Sequence, residues 1–91
     1  MKIRFHSRVF SEIDAIMKYY EDSAGAKLAD DFYNEFRRYV ILASEHPERF
    51  NIRVGGFKRV NLERFPYHFL FHQKGDCIRI LVIRHHSRHP S

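Results

Sequence analysis

The stretch from Phe57 to Arg88, FKRVNLERFPYHFLFHQKGDCIRILVIRHHSR, limits the fold more than any other part of the chain. It holds three runs of β character in succession. Phe57–Glu63 alternates around Val60 and Leu62, and Tyr67–His72 alternates around Tyr67, Phe69 and Phe71. Such alternation sends side chains to opposite faces, so each run reads as a strand with one buried face. Cys77–Arg84 is almost continuously apolar, with Ile78, Ile80 and Val82 on one parity and Leu81 and Ile83 on the other. That pattern is expected of a strand covered on both faces or lying deepest in its sheet. Pro66 cannot donate to a ladder and restricts Phe65 to extended geometry, so Arg64–Tyr67 turns a corner. Lys74-Gly75-Asp76 supplies a tight hairpin turn, since Gly and Asp tolerate positive φ. The three runs make an antiparallel meander.

The first half supplies one strand and two helices. Met1–Phe5 places Ile3 and Phe5 on one side and Lys2 and Arg4 on the other, the pattern of an edge strand blunted by charge. Ser7 stands where an N-cap belongs, ahead of Phe10, Ile13, Met17 and Tyr20 at helical spacing with Ile16 beside them. The first helix is expected from about Ser7 to Glu21. Ser23 is a second candidate N-cap, and Gly25 weakens the turn after it. Leu28, Phe32, Phe36 and Val40 then recur every fourth residue, with Tyr33, Tyr39 and Ala43 widening the stripe. His46-Pro47 ends this second helix, because the residue before proline avoids the α region. Glu48–Gly56 reads as a loop. The expectation is one α+β domain over residues 1–91, in the order β-α-α-β-β-β. A helical hairpin packs on a twisted, mainly antiparallel four-stranded sheet.

Charge divides the same way as structure. Residues 1–46 carry seven Lys/Arg against eight Asp/Glu, whereas residues 47–91 carry nine against three and five of the seven histidines. A charge that segregates with the sheet suggests a polyanion or an acidic protein as partner, while the plain reading is solubility alone. The lone cysteine, Cys77, excludes an internal disulfide and reads as a small buried strand residue. Nothing resembles a signal peptide or membrane span, so the expected location is cytoplasmic, with no membrane partner.

No phosphate-binding glycine loop, HExxH, paired cysteines or serine nucleophile motif is present. The residues left for chemistry are Arg59, Asn61, Glu63, Arg64, His68, His72 and Arg84-His85-His86-Ser87-Arg88-His89. A metal site is not expected, because adjacent histidines leave an extended chain in opposite directions and zinc needs three or four converging ligands. No cofactor is implied. A metal-free ribonuclease needs a base, an acid and cations around the phosphate. Glu63, His68 or His86 would move protons there, with Arg59, Arg64 and Arg88 as clamps. Recognition without chemistry needs only charge and shape. Against both stands a surface in which Arg59 and His68 are merely solvated and Glu63 pairs with Arg64 for under about 1 kcal/mol.

The element order, a basic strand leading into Arg64-Phe65-Pro66-Tyr67, the Gly-Asp hairpin, and a last strand ending in VIRHHSRHP together resemble the RelE/ParE toxin family. These are small toxins of bacterial type II toxin–antitoxin systems, also called plasmid-stabilisation proteins. The resemblance covers nearly the whole chain. It implies a cognate antitoxin as first partner, with a homodimer or a hetero-oligomer containing the antitoxin as the assembly. RelE-like members are ribosome-dependent, metal-independent mRNA endonucleases, whereas ParE-like members poison DNA gyrase and are not enzymes. In the RelE pattern the strand before the corner carries two lysines, the next an arginine, and the C-terminal segment an arginine and a tyrosine. The matching positions here hold Arg59, Asn61, His68 and Arg88, with no tyrosine after Arg88. Another nuclease subgroup uses a Glu, an Arg and a C-terminal His, to which Glu63 and His86 correspond. The thinned phosphate clamp and the RFPY corner favour the ParE-like branch. In that branch Arg59, Arg64, Arg84, His85 and Arg88 would contact target or antitoxin. In the RelE-like alternative Arg59, Glu63, His68, His86 and Arg88 would be catalytic. A family member that only binds a partner is the third reading.

Overall fold

The computed structural model of the chain describes residues 1–86. Its elements are β1 (Lys2–Phe5), α1 (Ser7–Ala24), α2 (Ala26–Glu45), β2 (Lys58–Asn61), β3 (Tyr67–Lys74) and β4 (Cys77–His85). The sheet order is β1-β4-β3-β2, with β1 parallel to β4 and the other pairs antiparallel. The expected meander is therefore present, and the N-terminal strand closes on its far side. The helices cover one face and the other is open. No helix among the described residues is long and apolar enough to cross a membrane.

β4 carries apolar residues on both parities for a reason the sequence reading did not contain. Leu70 pairs with Val82 while the next residue, Phe71, pairs with Ile80, so Leu81 is an extra residue in the strand. This bulge shifts the inward parity from Ile78 and Ile80 to Ile83 and His85. The strand is central, as expected, but helices cover only one of its faces.

The inward face is aromatic. Phe69 and Phe71 are fully buried, Phe69 meets Phe36 of α2 at 5.6 Å between ring centres, and Tyr67 meets Phe32 at 5.4 Å. Val60 and Leu62, one from β2 and one just beyond it, complete this layer. Cys77 is only half-buried and lies on the outward parity, between Lys2 and Lys74 in register, so it is not a core residue.

Several helix expectations shift. The N-cap of α1 is His6, whose Nδ1 accepts from the Arg8 amide at 3.1 Å, and Ser7 is the first helical residue. With that start Val9 points inward and Phe10 remains 61% exposed, leaning on Phe5 at 5.7 Å. Ser23 caps nothing, because α1 runs through it to Ala24. A single residue, Gly25, joins the helices at φ 101° and ψ 167°, a conformation essentially confined to glycine. At the hairpin only Gly75 uses positive φ, the pattern of a type II′ turn.

Two side chains of α1 finish the sheet where β1 stops. The last backbone bond from the β1 side runs from His6 N to the Ile80 carbonyl. Beyond it, Arg8 Nε donates to the Leu81 carbonyl at 2.8 Å and Glu12 Oε1 accepts from Ile83 N at 3.1 Å. Backbone groups on that edge would otherwise invite another strand.

Candidate functional site

The open face is built from the outward positions of four strands, none of which contains an acidic residue. Register places Asn61, His68 and Arg84 side by side across β2, β3 and β4, with Arg59 two residues before Asn61. His86 follows β4, and its amide donates to the Pro66 carbonyl at 3.0 Å. That bond brings its ring to His68, Nδ1 to Nδ1 at 3.2 Å. Six of the residues singled out from sequence, Arg59, Asn61, His68, His72, Arg84 and His86, thus share one face.

The remaining ones do not. His85 turns inward, its ring edge-on to Tyr67 at 5.1 Å. Glu63 accepts from the Tyr39 hydroxyl of α2 at 3.3 Å. Arg64 pairs with Asp31 of α2 at 3.1 Å and lies over Phe65, so the expected Glu63–Arg64 pair is replaced by two separate contacts to α2. Arg88 and His89 lie outside the described residues.

A hydrogen bond between two imidazole Nδ1 atoms needs one ring protonated at Nδ1 and the other at Nε2. The pair is neutral in that state. Burial pushes the His68 pKa down to about 4, and the charges of Arg59, His86 and Arg84 push the same way. Burial likewise lowers that of His86, followed by Arg59 and His85. One added proton leaves the bond intact, because the donor ring has a free Nε2. A second must take the shared Nδ1 and break it. At neutral pH the pair is therefore a poor source of protons, while Arg59 and Arg84 beside it attract anions. Arg59 also gives its Nε to the Asn61 amide oxygen at 2.8 Å.

The depressed pKa has a sign. An unfolded chain takes up the His68 proton near its ordinary pKa of about 6.5, and the folded chain only near 4. The contribution is fully present above pH 6.5 and is lost as the pH falls through 4. Stability should decline over that window and decline less in His68→Asn, measured as urea midpoints against pH. An NMR titration placing the His68 midpoint at 6.5 would contradict the burial argument.

Sequence reasoning missed the residue that sets the corner. Glu35 of α2 is 6% exposed and accepts from the backbone of Arg64 at 3.1 Å and of Phe65 at 3.4 Å. Arg38 Nη2 stands 3.5 Å from the same carboxylate. Tyr67 N bonds back to the Phe65 carbonyl at 2.8 Å, a γ-turn centred on Pro66. The RFPY corner is thus held by α2 on one side and by His86 on the other. A glutamate on the apolar stripe three residues after Phe32 was the available signal.

A groove of about 420 Å³ runs between α1 and β4, lined by Glu12, Ala15, Tyr19, Tyr67, Ile83 and His85 among others. Burial, then neighbouring Tyr67, raises the Tyr20 hydroxyl to about 12 behind it.

Over residues 3–90 the chain matches the family described as the ParE toxin of type II toxin–antitoxin systems, parDE. Among solved structures it is similar to a chain of a chromosomal ParDE TA system from P. aeruginosa, with a TM-score of 0.82 and 25% identity. The match covers 93% of this chain and 95% of that one. No curated protein sequence matches it.

Proposed function

The chain belongs to the ParE toxin family of type II toxin–antitoxin systems, and from that premise we infer that it arrests growth by acting on DNA gyrase and is held inactive by a cognate antitoxin. The observation that carries this reading is the match to the ParE family over residues 3–90. The acid–base inventory supports it. His68 and His86 engage each other at 3.2 Å, and Glu63 is engaged by α2 through Tyr39. A ribonuclease would need those groups aimed at a 2′-hydroxyl and a leaving oxygen. The groove between α1 and β4 is the proposed seat of the antitoxin segment, with His85 and Arg84 on its rim. Arg59 and Arg84 on the open face are left to meet the target, with Arg64 at the corner and Arg88 beyond the described residues. Action on gyrase would take place in the cytoplasm.

The test sets gyrase supercoiling beside cleavage of mRNA on primed ribosomes, using the purified chain. Supercoiling should be inhibited and restored by the antitoxin, with no new mRNA ends. Ribosome-dependent cuts with supercoiling untouched would replace this reading with the RelE-like one.

A further inference from the structure

Lys2, Arg4, Arg59, Lys74, Arg79 and Arg84 all occupy outward positions of the sheet. Among the described residues none of the six is in an ion pair with an acid, whereas Lys18, Lys27, Arg38 and Arg64 on the helical side all are. Arg4 and Arg79 are direct register neighbours. Like charges placed opposite one another in a sheet are destabilising, so the arrangement works against the fold unless an anion neutralises it. We propose that the open face docks the phosphodiester backbone of duplex DNA, and that the His68–His86 pair takes a proton from solvent as phosphate arrives.

Three features select this occupant. Arg79 and Arg84 are five residues apart on β4, which spans about 16 Å, and duplex DNA carries one charge per about 1.7 Å of axis. Several phosphates therefore fall within reach of the face at once. Single strands are gripped by aromatic platforms, but the aromatic residues of the strands, Phe5, Tyr67, Phe69 and Phe71, all point inward, and Phe57 just before β2 is set edge-on against His72 at 5.8 Å. An acidic protein partner would need an apolar centre to its interface. The apolar residues that pair outward across β3 and β4 past the hairpin are Leu70 and Val82, with Leu81 half-buried at the bulge, and Val82 is only 4% exposed.

The proton follows from the same geometry. The groups around the histidine pair are Arg59 and Asn61 from β2, Arg84 from β4, His85 acting on His86 from the inward side, and each ring itself. All are neutral or positive. A phosphate inserted among them adds the missing negative charge and favours the imidazolium, whose remaining N–H donates to it. Binding and proton uptake are then linked. The contact involves backbone only, so it reads charge and spacing but not base sequence.

This proposal goes beyond the gyrase reading and is tested without gyrase. Anisotropy of a labelled DNA duplex is followed with the full chain, with folding of each variant checked by circular dichroism. With about four phosphates engaged, affinity should drop about a hundredfold between about 50 and 200 mM salt. Arg79→Ala and Arg84→Ala should each reduce the log–log salt slope by about one, and Lys18→Ala on α1 should leave it unchanged. Affinity should rise from pH 8 to pH 5.5 more steeply in the wild type than in His68→Asn. Salt slopes unaltered in both arginine variants would overturn the proposal, as would tighter binding of the matching single strand. Displacement of the duplex by poly-L-glutamate at equal charge would assign the face to an acidic protein instead. A pH-independent affinity would remove the histidine pair from it.

Discussion

Replacing Phe69 by alanine is expected to lower the stability of the fold by about 3–5 kcal/mol, read as a fall in the urea midpoint at unchanged slope. Phe69 is completely buried at the middle of β3. Its ring stands edge-on to Phe36 of α2 at 5.6 Å and tilts against Phe71 at 6.4 Å. In register it faces Val60 on one side and Ile83 on the other, both buried. Apart from Phe71 on the same strand, each neighbour belongs to a different element, so none can collapse into the void without moving its own strand or helix. The cavity persists, and its cost adds to the lost burial. A domain of this size has only about 5–15 kcal/mol in total. Leu70→Ala, one residue along on the open face, should cost far less. Equal effects of the two substitutions would mean that the sheet does not have one covered and one open face.

Glu35→Ala is the second large effect, expected at about 2–5 kcal/mol. The carboxylate satisfies the amides of Arg64 and Phe65, where the chain leaves the sheet to pass Pro66. Alanine leaves both donors without an acceptor in a part of the structure that water does not reach freely, since Phe65 is 5% exposed. Leaving a buried donor unmatched costs about 1–3 kcal/mol, more than the net gain of an ordinary hydrogen bond. Glu35→Gln retains one acceptor oxygen but turns an NH₂ toward a donor, so its loss should fall between wild type and alanine. Amide exchange at Arg64 and Phe65 should accelerate locally in both variants. Exchange that accelerates uniformly, with nothing particular to the corner, would show that Glu35 acts only through α2.

The strands were legible because alternation reports directly on a sheet face. Tyr67, Phe69 and Phe71 needed no further information. What alternation does not report is an insertion. The extra residue at Leu81 makes a one-faced strand look two-faced, because both parities become apolar for different halves of its length. In α1 two overlapping stripes compete about 50° apart, one through Phe10, Ile13, Met17 and Tyr20 and the other through Val9, Ile13, Ile16 and Tyr20. Of the first stripe only Phe10 is misplaced, since Ile13 is buried and Met17 and Tyr20 pack against the core, and Val9 takes its place. The candidate site was legible as a set of residue types but not as an arrangement. Register brings His68 beside Arg84, and the Pro66–His86 backbone bond brings in the second imidazole. Neither follows from spacing along the chain. Glu35 was hidden differently, since its partners are backbone amides that any sequence would have supplied.

The pairing of Lys2 with Cys77 carries a consequence for the way the chain is made. The two helices are neighbours in sequence, and so are β2, β3 and β4, but β1 waits for a partner more than seventy residues away. At about 5–20 residues per second, the ribosome needs roughly 4–14 s to travel from β1 to the beginning of β4. For that interval Ile3 and Phe5 have no strand beside them, and the helical hairpin has no finished sheet to cover. The cationic surface does not exist either, because its central strand has yet to be synthesised. A partner present in the cell can therefore meet the nascent helices before the toxin has acquired the face with which it would act.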